Sequence, residues 1–290
     1  MKIDVASINE ILHIINNEDK TIAFAIENEI PKIEKAVKLI VNAFQNGGRL
    51  IYVGAGTSGR LGVLDAAECV PTFGVNKNLI SGIIAGGKNA LIQSIEGAED
   101  NEPQAKKDLS AKKISHKDVV CGIAASIRTP YVNSAIGFAK QKKAKIIFIT
   151  TNSRKIYSQK HFSNLHKNVD IAICVDVGSE VITGSTRMKS GTAQKMVLNM
   201  LSTSSMIRIG KVYENIMVDL KLNNKKLTER AKKILITILN ITYGEAESLL
   251  EEANGNVKVA IVMKKKNVSQ KKAIELLKAA NEFIRKIFYF

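Results

Sequence analysis

The most informative part of this 290-residue sequence is Leu50-Ile51-Tyr52-Val53-Gly54-Ala55-Gly56-Thr57-Ser58-Gly59-Arg60. Four apolar or aromatic residues run directly into a loop with three glycines and two hydroxyl groups, and an alanine-rich apolar segment, Leu61 to Ala67, follows. This order predicts a strand, a glycine turn and a helix, which together direct backbone N–H groups and the positive end of a helix at a phosphate. The predicted phosphate contacts, in a sugar-phosphate enzyme, are Gly56, Thr57, Ser58 and Gly59.

A similar alternation of apolar runs and helical segments continues after this turn. Continuous apolar runs are typical of strands that are covered on both faces. The predicted strands are Arg49–Val53, Leu79–Ala85, Asp118–Ala124, Lys145–Thr150 and Val169–Val175, and the predicted helices are Arg60–Cys69, Lys88–Ile95, Thr129–Gln141 and about Arg187–Ile209. The sequence therefore predicts an α/β fold with a parallel sheet of about five strands and helices on both faces.

Further helices are predicted on both sides of this central region. Ser7 and Glu10 form a capping-box pattern for a helix over Ile8–Asn16, and a second helix over about Asp19–Gln45 is expected to be kinked or split by Pro31. From about Leu222 the strand signals stop, and a bundle of short amphipathic helices is predicted at Leu227–Leu239, Gly244–Ala253, Val257–Met263, Ser269–Ala279 and in a tail from Glu282. The expected domains are residues 1–46, 47–221 and 222–290.

A second turn rich in hydroxyl groups, Ser126-Ile127-Arg128-Thr129-Pro130, follows the third predicted strand. Thr129 and Pro130 fit the first positions of a capped helix, and this purely structural interpretation stays open. Ligands of parallel sheets bind at the carboxyl ends of the strands. Ser126, Arg128 and Thr129 are therefore also candidates for contact with the phosphate held by the first turn.

A third unusual stretch, residues 177–195, is a loop rich in glycine and hydroxyl groups that opens into a helix. Arg187 and Lys189 lie near the helix start, where positive charge is unfavourable unless an anion or a carboxylate lies nearby. A plain capped helix and a ligand-binding loop are equally compatible with this pattern. The candidate ligand contacts here are Glu180, Ser185, Thr186 and Lys189.

Gly54, Gly56 and Gly59 also satisfy the glycine pattern of dinucleotide-binding folds. Those folds place an acidic residue at the end of the second strand for a ribose hydroxyl, whereas this strand ends in Ala85-Gly86-Gly87-Lys88. The hydroxyl groups of Thr57 and Ser58 suit a phosphate monoester better. We therefore expect no nicotinamide, flavin or other cofactor.

The composition argues against several other classes of protein. The net charge is +16, but the lysines are spread along the chain and lack the interleaved aromatic residues of a nucleic-acid surface. No apolar run approaches the roughly 20 residues of a membrane span, and the first residues lack the pattern of a signal peptide. The three cysteines and four histidines lack metal-ligand spacing. We expect a cytoplasmic protein with buried reduced thiols, no metal, no nucleic-acid partner and no membrane association.

Two carboxylates are candidates for acid–base chemistry. Glu68 lies near the end of the helix predicted after the first turn, where negative charge is disfavoured, and this suits a proton donor. Glu99 follows the next predicted strand and helix. Paired carboxylates can divide the roles of general acid and general base, although most glutamates are simply exposed on a surface.

Taken together, these segments resemble the N-acetylmuramic acid 6-phosphate etherase family of the sugar isomerase (SIS) superfamily. The resemblance extends from about Ile3 to Lys286, which is nearly the whole chain. It is carried by Leu50–Gly62, Asp65–Cys69, Pro71–Gly74, Ile84–Gly87, Glu96–Asp100, Gly122–Ser126, Arg128–Val132, Thr183–Lys189 and Gly210–Tyr213.

The resemblance implies an activity and a set of roles. Members of the family cleave the lactyl ether of N-acetylmuramic acid 6-phosphate to N-acetylglucosamine 6-phosphate and D-lactate, by elimination and then hydration, in amino-sugar catabolism and peptidoglycan recycling. By the same resemblance, Glu68 is the proton donor and Glu99 is the other catalytic residue, with no metal or redox cofactor. A cytoplasmic homodimer and a C-terminal bundle similar to a ubiquitin-associated domain are also implied.

The chain departs from the family pattern at several positions. Ile127 replaces a usual glycine in the second turn, which predicts strain of about 1–2 kcal/mol if φ is positive there. Lys88 replaces a usual glutamate, Thr151–Arg154 lacks an Asn-Pro turn, and the chain begins after most of the family's polar N-terminal segment. Three alternatives stay open: a non-catalytic sugar-phosphate sensor, an aldose–ketose isomerase of the same superfamily, and a nucleic-acid-binding module.

Overall fold

The computed structural model describes residues 2–220, 222 and 225–289. The chain packs as two compact units. The first consists of the residues up to Ala66 together with Asn78–Ser202, and the second consists of Ala67–Lys77 together with the residues from Thr203 onward. The three-part division at residues 46/47 and 221/222 stays a prediction, because compact packing alone does not test it.

The first unit is built on a five-stranded sheet in which every pair of neighbouring strands is parallel. Its strands are β1 (Leu50–Gly54), β2 (Ile80–Ile84), β3 (Val119–Ile123), β4 (Lys145–Thr150) and β5 (Ile171–Cys174), in the spatial order β2-β1-β3-β4-β5. Gly54 at the end of β1 is level with Ile123 at the end of β3. The predicted α/β fold is confirmed, and the two hydroxyl-rich turns follow adjacent strands.

Eight helices of the described chain precede the C-terminal bundle. They are α1 (Ile8–Glu27), α2 (Ile30–Gln45), α3 (Gly56–Phe73), α4 (Glu102–Ala111), α5 (Pro130–Gln141), α6 (Arg154–Tyr157), α7 (Ser163–Asn168) and α8 (Lys189–Arg208). The apolar side chains of the sheet pack against α4 and α5 in one continuous core. This core fixes where the strand ends lie.

The N-terminal helices differ from the prediction in where the first one stops. The predicted capping box is confirmed, since the Ser7 and Glu10 side chains each accept from the other's backbone N–H. The helix then continues to Glu27 instead of stopping at Asn16. The helical stretch is split between Glu27 and Ile30, as one of the two alternatives for Pro31 predicted, and Pro31 lies in the first turn of α2, where no intrahelical N–H donor is needed.

Two helices around the predicted phosphate turn also differ from the prediction. The helix predicted from Arg60 begins at Gly56, so the glycine turn is itself the first turn of α3. The helix predicted at Lys88–Ile95 is a 3₁₀ helix over Gly87–Leu91, since Gly86 and Gly87 both have positive φ angles that interrupt an α-helix. Helix α4 was not predicted from the sequence.

The second unit is mainly helical, as predicted. Its helices beyond residue 222 are α9 (Lys225–Leu239), α10 (Tyr243–Glu252), α11 (Val257–Lys266), α12 (Gln270–Ala279) and α13 (Ile284–Tyr289). A two-stranded antiparallel ribbon, β6 (Val212–Tyr213) with β7 (Ile216–Met217), was not predicted. No described helix combines the length and the apolar character that crossing a bilayer requires.

Candidate active site

A cavity of about 200 Å³ lies at the carboxyl ends of β1 and β3, in the first unit. Five hydroxyl side chains and one carboxylate line it, and the remaining lining residues are small or apolar. The lining residues are Ala55, Gly56, Thr57, Ser58, Glu99, Ile123, Ala124, Ala125, Ser126, Thr129 and Thr186. The three stretches singled out in the sequence therefore each contribute hydroxyl groups to one cavity.

The β1–α3 turn has the geometry expected for an anion site. Gly56 has a φ of +52°, in the left-handed region that favours glycine. A Cβ atom added to Gly59 would lie 2.7 Å from the backbone oxygen of Gly54 and 2.6 Å from Cγ1 of Ile84, so this turn closes only around glycine. The first N–H groups of α3 have no intrahelical acceptor and adjoin the cavity.

Ser58 makes a hydrogen bond that the sequence did not suggest. Its hydroxyl donates to Oε1 of Gln194 on α8 at 2.8 Å, and both side chains are buried. Nε2 of Gln194 has no hydrogen-bond partner within the described part of the chain. No motif singled out Gln194, because its partner lies 136 positions away in the sequence.

The second turn presents Ser126 and Thr129 to the cavity. Thr129 occupies the N-cap position of α5, but its side chain makes no capping bond and its hydroxyl donates to the Ser126 carbonyl at 3.3 Å. The backbone N–H of Arg128 donates to Oγ of Ser126 at 3.3 Å, whereas the Arg128 side chain is exposed and does not line the cavity. Thr129 and Pro130 therefore occupy the predicted first positions of α5, but the Thr129 hydroxyl does not cap the helix.

Ile127 does not have the backbone strain that a positive φ angle would cause. It does not adopt a positive φ, and its side chain is 1% exposed within the apolar core. Its N–H donates to the side-chain oxygen of Asn152 at 3.2 Å, and its carbonyl accepts from Asn133 at 3.0 Å. The Ile127 side chain therefore packs in the same apolar core as the strands of the sheet.

Glu99 is the one ionisable residue among the described residues that line the cavity. It lies in a 3₁₀ helix, Ala98–Asp100, which follows Gly97 with a φ of +69°. The side chain is exposed, so it can reach both the cavity and solvent. A carboxylate in this position can exchange a proton with a ligand whose phosphate lies at the strand ends.

Glu68 does not line this cavity. It is exposed on α3, in the portion of that helix that belongs to the second unit. The helix continues to Phe73, so Glu68 lies farther from the helix end than the predicted end at Cys69 implied.

The third stretch makes contacts that only the structure reveals. The Glu180 carboxylate accepts from the backbone N–H groups of Lys189 and Ser190 at 2.9 and 3.0 Å, and so caps α8. The Lys189 ammonium group is 3% exposed and pairs with Glu18 of α1 at 2.5 Å. Thr186 lines the cavity, whereas Glu180, Ser185 and Lys189 do not. A ligand-binding role for the latter three stays a prediction.

The buried Asp65 carboxylate links the elements that flank the β1–α3 turn. The hydroxyl groups of Tyr52 on β1 and Ser202 on α8 donate to the Asp65 carboxylate of α3 at 2.9 and 3.0 Å. Burial raises the pKa of the Asp65 carboxyl to about 6, although both hydrogen bonds and Lys195 act in the opposite direction. Asp65 thus ties three elements of the first unit together beneath the cavity.

Comparison with known proteins identifies the family. The chain is 49% identical over 284 residues to an N-acetylmuramic acid 6-phosphate etherase of Clostridioides difficile strain 630, covering 98% of this chain and 91% of that relative. It is 54% identical over 263 residues to the protein of the same name from Glaesserella parasuis serovar 5, covering 91% of this chain and 84% of that relative. This chain belongs to the N-acetylmuramic acid 6-phosphate etherase family.

Broader comparisons agree with the fold of this etherase-family chain. Residues 32–140 match the family model of the glucokinase regulatory protein N-terminal SIS domain. The phosphoheptose isomerase GmhA from Neisseria gonorrhoeae aligns with a TM-score of 0.51 at 14% identity, covering 69% of this chain and 98% of that one. A putative phosphosugar isomerase from Bacteroides fragilis aligns with a TM-score of 0.50 at 21% identity, covering 71% of this chain and 94% of that one. These structural likenesses establish the SIS-type fold of the etherase-family chain.

Proposed function

We propose that this chain cleaves the D-lactyl ether of N-acetylmuramic acid 6-phosphate, taking up one water and giving N-acetylglucosamine 6-phosphate and D-lactate. The observation that carries the proposal is the cavity where the hydroxyl-rich ends of β1 and β3 meet Glu99. Family membership selects this reaction among those that an SIS-type fold supports. The reaction is a carbon–oxygen lyase reaction in amino-sugar catabolism and peptidoglycan recycling.

The phosphate is held by neutral donors. Thr57, Ser58, Ser126 and Thr129 surround the space above the first turn of α3, where unpaired N–H groups and the helix dipole favour an anion. Gly56 lines the cavity without a side chain, so phosphate oxygens can approach the backbone there, whereas Gly59 does not line the cavity and closes the turn behind it. With the phosphate fixed at the strand ends, the sugar extends toward Glu99.

The chemistry requires a base and an acid. In the open-chain sugar the aldehyde acidifies the proton on C2, a base removes that proton, and an acid protonates the lactate oxygen as the C3–O bond breaks. Water then adds to C3 of the unsaturated aldehyde, and C2 regains a proton. We assign these proton transfers to Glu99 and Glu68, with Glu68 as the donor to lactate, because the resemblance carries those roles to these positions.

The site is completed by a second copy of the chain in a homodimer. The cavity of about 200 Å³ is smaller than the roughly 300–1,000 Å³ of enclosed ligand sites, and Glu68 does not line it. An apolar stripe on α1 supports association: Ile22 and Ile26 are buried, but Ile8 and Leu12 on the same helix face are 78% and 60% exposed. We propose that Glu68 reaches the cavity of the partner, and that the dimer works in the cytoplasm.

The test is the release of D-lactate from N-acetylmuramic acid 6-phosphate, measured with a D-lactate-specific dehydrogenase. Wild-type protein is expected to release D-lactate stoichiometrically, and Glu99→Gln is expected to lower kcat by about 10²- to 10⁴-fold, as for loss of a general acid–base group. Glu96→Gln is the matched control, since Glu96 is exposed in the same segment but does not line the cavity. No release by folded wild-type protein, or equal loss in both variants, would contradict the proposal.

A further inference from the structure

We infer that Gln194 is a positioning residue that controls whether the Ser58 hydroxyl can donate to the phosphate. The inference rests on the proposed phosphate site, and it concerns a residue that does not itself line the cavity. Gln194 is 1% exposed on α8, and Oε1 of its amide accepts the Ser58 hydroxyl proton at 2.8 Å.

A serine hydroxyl has one proton to donate and can also accept. While that proton points to Gln194, Ser58 offers only lone pairs to the cavity. A phosphate monoester near neutral pH carries a charge of about −1.5 to −2 and mainly accepts hydrogen bonds. In this geometry the Ser58 hydroxyl therefore presents lone pairs, and not its proton, to a phosphate in the cavity.

Rotation of the Gln194 amide by half a turn reverses this polarity. Nε2, which has no partner within the described chain, then donates to Oγ of Ser58, and the Ser58 proton is released toward the cavity. The result is a chain of donors from the amide through the hydroxyl to the phosphate, and hydrogen bonds to an ionised acceptor are the stronger kind.

The observed orientation of the Gln194 amide makes one hydrogen bond to Ser58 and leaves Nε2 unpaired among the described residues. Because this buried amide is not fully satisfied, we expect only a small free-energy difference between the two orientations. A small free-energy difference is what allows a ligand to shift the population. The phosphate charge favours the donating orientation, so binding and amide rotation are coupled.

The decisive comparison uses Gln194→Glu and Gln194→Met. A carboxylate can only accept, so Gln194→Glu keeps the Ser58 proton away from the cavity and is expected to weaken binding of inorganic phosphate by about 10- to 100-fold. Methionine has a similar size and leaves the Ser58 proton uncommitted, so Gln194→Met is expected to weaken binding less than Gln194→Glu. Gln141→Glu, at an exposed position at the end of α5, controls for the added charge.

Dissociation constants from calorimetry with inorganic phosphate are measured with and without the Ser58 hydroxyl. In a Ser58→Ala background the additional effect of Gln194→Glu is expected to shrink, because no hydroxyl proton remains to be misdirected. Equal weakening by Gln194→Glu and Gln194→Met, or an effect of Gln194→Glu independent of Ser58, overturns the inference. With N-acetylmuramic acid 6-phosphate, Gln194→Glu is expected to raise KM much more than it changes kcat, since the phosphate does not react.

If the buried charge of Gln194→Glu prevents folding, NMR spectroscopy of the wild-type protein and of Gln194→Met tests the inference instead. In wild-type protein labelled with ¹⁵N-glutamine, one of the seven glutamine side chains is expected to shift its N–H resonances when inorganic phosphate is added. The same signal is absent from Gln194→Met, which assigns it. No phosphate-dependent shift of that signal overturns the inference. Wild-type protein that binds phosphate but releases no D-lactate contradicts the proposed activity and leaves the Gln194 test intact.

Discussion

At the scale of single residues, the candidate site is built mainly from glycines and uncharged hydroxyl side chains. Glycine closes the β1–α3 turn, and hydroxyl groups from three separate stretches point into the cavity. The more conspicuous polar residues are occupied elsewhere, because Lys189 pairs with Glu18 and Glu180 caps α8. The phosphate site is therefore defined by backbone geometry as much as by side-chain chemistry.

Gly59→Ala tests that dependence on backbone geometry. The new Cβ atom would meet the Gly54 carbonyl at 2.7 Å, and because backbone cannot rotate away, the turn must open. We expect a loss of stability of about 1–3 kcal/mol, together with at least tenfold weaker binding of inorganic phosphate, by urea unfolding and calorimetry.

Gly244→Ala is the matched control for this substitution. Gly244 lies in helix α10 with no atom within 4 Å of an added Cβ, so stability is expected to stay the same or rise by up to about 1 kcal/mol. If Gly59→Ala binds phosphate as tightly as wild-type protein does, the close approach within the turn has no role in binding.

At the scale of secondary-structure elements, the turn is held in place by polar groups beneath it. Asp65 of α3 accepts hydrogen bonds from Tyr52 of β1 and Ser202 of α8, while Gln194 of α8 accepts from Ser58 about two helical turns away, at the cavity end of α3. Helix α8 thus contacts α3 twice through side-chain hydrogen bonds. These contacts fix the direction in which the start of α3 points.

The buried Asp65 predicts a particular dependence of stability on pH. Its pKa of about 6 in the folded protein exceeds the roughly 3.9 of an unfolded chain, so between these values the unfolded state releases a proton that the folded state retains. The Asp65 contribution to stability is fully present below about pH 4 and is lost as the pH rises through about 6, with a slope of at most about 1.4 kcal/mol per pH unit.

Urea unfolding of wild-type protein and Asp65→Asn from pH 4 to pH 7.5 measures this contribution. We expect the stability of wild-type protein minus that of the variant to fall between about pH 4 and 6 and then to level off. Asp19→Asn, at an exposed position on α1, serves as the control and is expected to give a flat difference. A difference for Asp65→Asn that stays flat or rises with pH would show that Asp65 is not protonated in the folded protein.

The sequence predicts the elements well where burial alone determines them. Continuous apolar runs located all five parallel strands to within two residues at each end. The start of α3 was missed because glycines and hydroxyl groups usually indicate a turn, whereas here they form the first turn of a helix around Gly56. The 3₁₀ helix at Gly87–Leu91 and helix α4 depend on positive φ angles and local caps rather than on hydrophobic periodicity.

Only some of the contacts in the candidate site could likewise be predicted from the sequence. Adjacent strands with level ends explain why two turns far apart in the sequence could be expected to meet. The pairing of Lys189 with Glu18 and of Gln194 with Ser58 could not be expected, since each joins residues more than a hundred positions apart. Such partners depend on how helices pack, for which a single sequence carries no direct signal.

At the scale of the whole molecule, we propose that the active form is a homodimer with shared sites. Glu99 and Glu68 lie in different compact units of one chain, and the exposed part of the α1 stripe offers apolar surface for association. In a symmetric dimer each copy supplies the same residues to the other. The proposal therefore has one cavity built from Glu99 of one chain and Glu68 of its partner.

Mixing two inactive variants tests this arrangement. Glu68→Gln and Glu99→Gln homodimers are each expected to be inactive, but after subunit exchange a mixed dimer has one cavity with both glutamates intact. About a quarter of wild-type D-lactate release is expected, because half of the dimers are mixed and each has one intact site. If the mixture stays inactive after exchange is verified by mass spectrometry, each cavity draws both glutamates from one chain.

Hydroxyl groups line the cavity, and no lysine or arginine is among its described lining residues. The association rate and the dissociation rate of the ligand should therefore depend on different interactions. The chain carries sixteen excess positive charges, and their long-range field draws a dianion inward, an attraction that dissolved ions screen over about 10 Å at 0.1 M. Escape instead depends on short contacts with uncharged donors, which such screening scarcely alters. Raising the ionic strength should therefore slow capture while leaving residence time nearly constant.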